Sequence, residues 1–61
     1  MSNEQLMTSE EVARYLKLNV RTVTNMAERG ELPASKIGRH WRFRKRDVDE
    51  YLERQKPKQK E

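Results

Sequence analysis

Residues 36–46 read K-I-G-R-H-W-R-F-R-K-R, and how this run folds decides the architecture of the chain. Six of its eleven side chains are formally positive: Lys36, Arg39, Arg42, Arg44, Lys45 and Arg46. A merely solvated basic tail would carry no internal pattern. Here Ile37, Trp41 and Phe43 are spaced among the cations around Gly38, which is the signature of a β-hairpin.

The apolar spacing bears on the register. A two-residue turn at Gly38 and Arg39 pairs Ile37 with His40 and sends Ile37 and Trp41 to opposite faces. A three-residue loop of Gly38, Arg39 and His40 pairs Ile37 with Trp41 and Ser35 with Phe43, gathering the apolar groups on one face. The three-residue loop is therefore expected. It sets Lys36 beside Arg42 on the outer face, where two like charges oppose pairing unless an anion lies over them.

Upstream of the hairpin the periodicity changes from two to 3.6. Thr8, with Glu11 three residues later, forms a capping box, and Met7 and Val12 stand where a hydrophobic staple would close. Val12, Ala13 and Leu16 share one face of the helix that follows, with Tyr15 at its border. Asn19 is an N-cap for a second helix from about Val20 to Arg29, with Val23, Met26 and Ala27 inward and Gly30 ending it. Two short helices joined by a tight turn make a helix-turn-helix arrangement. Pro33 excludes further helix and starts an extended segment. A third helix is expected from about Lys45 or Arg46 to Gln55, striped by Val48, Tyr51 and Leu52 but lacking a good N-cap.

Domain organisation follows from length. Sixty-one residues allow one small domain, expected at 6–55, between a loose N-terminus at 1–5 and a basic tail at 56–61. A chain this short buries only about 60% of its unfolded surface, so its stability is expected to be marginal. The absence of Cys excludes disulfides and thiolate metal sites, and one histidine alone holds no metal. No apolar run approaches the roughly 20 residues of a membrane span, and no secretory signal pattern opens the chain. The expectation is a cytoplasmic protein, nucleoid-associated when bound, with no metal, no cofactor and no small-molecule ligand.

Charge points to a partner. Residues 1–30 carry four basic and four acidic side chains, whereas residues 31–61 carry ten and six, so the whole net charge of +4 lies in the second half. That asymmetry suits a polyanion. Paired acids such as Glu10 with Glu11, or Asp49 with Glu50, are adjacent in sequence and point to different helix faces, so no catalytic constellation forms and no enzyme is expected.

With its core stripe inward, the second helix presents Val20, Arg21, Thr24, Asn25 and Glu28. Arg21 and Asn25 are i, i+4 neighbours with Thr24 between them. Arginine suits guanine, asparagine suits adenine, and threonine suits a thymine methyl or a phosphate. Thr22, near the helix start, is placed to bond a phosphate.

The stretch from Leu6 to Leu52 resembles the excisionase-type DNA-binding domain, a relative of the MerR winged helix. The resemblance rests on E-E-V-A at 10–13 with Leu16, R-T-V at 21–23, R-G-E-L-P at 29–33, I-G-R at 37–39, W-R-F at 41–43 and D-V at 47–48. It implies a mostly α fold with a small β-hairpin, a winged helix-turn-helix of two helix-turn-helix helices, a two-stranded wing and a C-terminal helix. The recognition helix would carry Val20, Arg21, Thr22, Thr24 and Asn25. The wing would carry Lys36, Arg39, His40 and Arg42, with Arg39 entering a narrow minor groove. Double-stranded DNA is the implied partner, with a recombinase or integrase, or neighbouring copies on DNA, beside it. The implied role is an architectural factor or a transcription regulator. Thr24 and Asn25 stand where many relatives carry an aromatic and a basic residue, so base preference does not transfer; Arg44 stands where relatives often carry proline.

Two other classes compete. A protein-interaction adaptor keeping the fold would replace the exposed cations of the second helix and hairpin with acidic or apolar groups, and this chain retains them. A single-stranded RNA reader needs an exposed aromatic platform, whereas Trp41 and Phe43 are expected on the hairpin's inner face.

Overall fold

The computed structural model describes residues 5–55. Strand β1 (Leu6–Thr8) leads into helix α1 (Ser9–Leu16), followed by α2 (Val20–Arg29), β2 (Ser35–Ile37), β3 (His40–Arg44) and α3 (Lys45–Gln55). The fold is a winged helix-turn-helix, three helices on a small antiparallel sheet. Of the loose ends expected at 1–5 and 56–61, residues 1–4 and 56–61 lie outside the described residues.

Local chemistry sets both helix-turn-helix helices. The Thr8 hydroxyl accepts from the Glu11 amide at 3.1 Å, and the Glu11 carboxylate accepts from the Thr8 amide at 2.9 Å, closing the capping box. Helix α1 ends at Lys17, a non-glycine residue in the left-handed region at φ 60°. Asn19 caps α2 by accepting from the Arg21 amide at 3.0 Å. Gly30 closes it at φ 78°, where any other residue meets steric strain.

The core joins the helices to the sheet through Val12, Ala13, Val23, Met26, Ala27, Leu32, Phe43 and Val48. Leu32, in the loop after α2, is fully buried, whereas Ile37 is not part of the core. Leu52, expected in the α3 stripe, is 41% exposed; Val48 and Tyr51 hold that helix against the core.

Two features of the sheet depart from expectation. The wing is not a lone pair of strands, since β1 adds to the other side of β3 and gives the order β1-β3-β2. Leu6, Met7 and Thr8 face Arg44, Phe43 and Arg42. This ladder also solves the missing cap of α3, because the Lys45 amide donates to the Gln5 carbonyl at 2.9 Å and so satisfies one of the helix's orphan donors.

The second departure is the register. The hairpin turn has two residues, and the pairs are Ile37 with His40, Lys36 with Trp41 and Ser35 with Arg42. Gly38 takes φ 66° at the first central position, as a type II′ turn requires. That twist-matched turn prevails over the gathering of apolar groups on one face. Ile37 is consequently turned outward and is 58% exposed. Lys36 does not oppose Arg42; it lies over the Trp41 ring.

Candidate nucleic-acid interface

Helix α2 and the hairpin face each other across a groove of about 170 Å³. Val20 and Thr24 line it from α2, and Arg39, His40, Trp41 and Arg42 line it from the hairpin. Five residues selected from the sequence on two separate elements are thereby brought together. Ser9 and Glu10, at the start of α1, complete the groove and were missed. The only signal for them was the capping box, which starts α1 beside the sheet and so brings its first residues to this end.

The remaining selected residues lie elsewhere. Arg21, Thr22 and Asn25 are exposed on α2 but do not line the groove. Lys36 is on the Trp41 face of the hairpin, its ammonium 5.4 Å from the ring centroid, a separation at which the ring attracts the cation. Arg42 is half-buried, and its guanidinium donates to the Trp41 carbonyl at 3.1 Å, which steadies it near the groove. The Thr24 hydroxyl donates to the Arg21 carbonyl at 3.0 Å.

Electrostatics separates two sorts of cation. Arg29 is paired with Glu31 at 3.5 Å and Lys45 with Asp49 at 2.9 Å. Among the described residues no acid pairs with the side chains of Arg21, Lys36, Arg39 or Arg42. Helix α2 also has no acidic residue in its first turn, unlike α1 with Glu10 and Glu11, so its positive end is not offset by its own side chains.

At the far end of the sheet lies a polar clasp. The Tyr15 hydroxyl donates to Asp49 at 2.5 Å, and the Lys45 ammonium sits 5.2 Å from the Tyr15 ring centroid. The Tyr15 hydrogen bond, followed by that from Lys45, holds the Asp49 carboxyl below its ordinary value. The hydrogen bond and charge of Asp49 hold Lys45 above its own. Among the described residues no group of three His, Cys, Asp or Glu side chains is placed for a metal, and no helix is long and apolar enough to cross a membrane.

The family model described as "Helix-turn-helix domain" matches residues 6–56. The chain belongs to that helix-turn-helix family. Over 49 residues it is 39% identical to two proteins of Mycobacterium tuberculosis, each named "Putative DNA-binding protein", one from strain CDC 1551 / Oshkosh and one from strain ATCC 25618 / H37Rv. The match covers 80% of this helix-turn-helix chain and 63% of each relative. No solved structure matches it.

Proposed function

We propose that this helix-turn-helix chain binds double-stranded DNA, with α2 in the major groove and the β2–β3 hairpin on the adjacent minor groove or backbone. The observation that carries the reading is the shared groove where α2 and the hairpin converge, lined by Arg39 and Arg42, which pair with no acid among the described residues. The naming of its relatives and the family description support the same partner. Helix α2, with ten residues, is about 15 Å long and fits a major groove about 12 Å wide.

In this reading Val20, Arg21, Thr24 and Asn25 face base edges and Thr22 a phosphate. Arg39, at the hairpin tip, enters the minor groove beside His40, while Arg42 and Lys36 contact the backbone. The role is that of an excisionase-like, MerR-related architectural factor or transcription regulator. A recombinase or neighbouring copies on DNA are the accompanying partners, and the cytoplasm is the compartment; these rest on the family resemblance.

The test is a fluorescence-anisotropy titration of a 20-base-pair duplex at two salt concentrations. Each phosphate neutralised contributes about −0.9 to the slope of log affinity against log salt. Four engaged cations therefore weaken binding about a hundredfold between 50 and 200 mM salt. Absence of binding at low salt would overturn the reading in favour of a protein-interaction adaptor.

A further inference from the structure

We infer that Val20 and Thr24 form a methyl-reading pair that recognises the 5-methyl group of thymine in the major groove. The inference rests on the DNA-binding reading above and adds the base chemistry that the groove selects.

Val20 and Thr24 are one helical turn apart on α2 and line the same wall. Thr24 has a single hydroxyl proton, and it is donated to the Arg21 carbonyl. A phosphodiester oxygen only accepts hydrogen bonds, as do guanine O6 and N7 and thymine O4. Thr24 has no second proton for any of them. Its oxygen can still accept from an adenine or cytosine amino group, but to the acceptor-only edges of guanine and thymine it offers its methyl group.

Val20 presents the same chemistry. It is the first residue of α2, and 38% of it is exposed while the core stripe falls on Val23, Met26 and Ala27. It belongs neither to the buried core nor to the partly buried side chains packed against it. A β-branched residue is a weak helix former, and an acid at this position would complement the helix dipole. An exposed valine at a helix start is useful when an apolar ligand meets it. The thymine 5-methyl is the one apolar group that a base edge presents in the major groove.

The experiment uses the full chain. A preferred duplex is selected from random sequence, and each thymine is replaced singly by uracil, which removes the methyl and keeps the pairing. Loss of one buried methyl weakens binding about fourfold, and this loss is expected at one or two positions and not at the others. The V20A/T24S double variant, with folding checked by its melting curve, is expected to bind thymine and uracil duplexes equally. T24V keeps the methyls without the hydroxyl and is expected to retain the discrimination.

Uracil that is neutral everywhere, or discrimination that survives in V20A/T24S, overturns the inference while salt-dependent binding leaves the DNA-binding reading standing. Loss of binding to every duplex, wild type included, removes both.

Discussion

The Lys36 ammonium lies 5.4 Å from the Trp41 ring centroid because the two residues are direct partners across β2 and β3. The ring is half-buried and packed against the core, with the lysine ammonium over it. Trp41→Ala is expected to destabilise the domain by about 1–3 kcal/mol, less than the 3–5 kcal/mol of a fully buried large aromatic. Lys36→Gln is expected to lose about 0.5–1 kcal/mol. A double-mutant cycle in urea checks the pairing; additive losses would dissolve it.

Arg39 sits at the hairpin tip, exposed and away from the core. Arg39→Ala should leave the melting temperature unchanged and weaken duplex binding at low salt, with the salt slope falling by about one unit. An unaltered slope would remove the tip from the interface.

Gly38 has φ 66° and no atom within 4 Å of a built Cβ. Gly38→Ala therefore meets only conformational strain, about 1 kcal/mol. D-Alanine at the same position, introduced by total synthesis, should be neutral or stabilising. Equal destabilisation by both enantiomers would contradict the two-residue turn.

Lys17 ends α1 in the left-handed region, where glycine is the relaxed choice. Lys17→Gly is expected to raise stability by about 1 kcal/mol. Chemical denaturation reads this directly, and a lower midpoint would refute it.

The Asp49 clasp makes stability depend on pH in a definite sense. Its folded carboxyl lies below the ordinary value, chiefly through the Tyr15 hydrogen bond. Its contribution is complete above the unfolded carboxylate pKa of about 3.9 and is lost as pH falls through the lower folded value. Lys45 is held above its ordinary value, so its share persists at neutral pH and disappears only as pH rises through that raised value. Melting temperatures of wild type and Asp49→Asn should differ at neutral pH and converge in acid. A gap that persists at low pH would assign the effect to packing.

Helices α1 and α2 were legible because their signals are local. Thr8, Glu11, Asn19 and Gly30 each act within four residues of the turn they define. The hairpin register was not legible, because the turn that matches the strand twist outweighs the apolar spacing, and the buried side chain of this region is Leu32, a loop residue with no periodic signature, while Ile37 is exposed. Strand β1 escaped notice for a related reason. Its three residues carry no alternation of their own and become a strand only by pairing with β3, more than thirty positions away. Of the candidate site, the residue types on α2 and the hairpin could be named from sequence. Their convergence on one groove, and the turning of Lys36 away from Arg42, could not.

Strand β3 belongs to two ladders at once, with β1 on one edge and β2 on the other. The hairpin is thus a continuation of the sheet that carries Phe43 into the core, not an appendage hinged on a loop. Its conformational entropy is given up when the domain folds and is not lost a second time on association. A preorganised arm of this kind should reach its partner already in shape, so that binding proceeds without a slow ordering step.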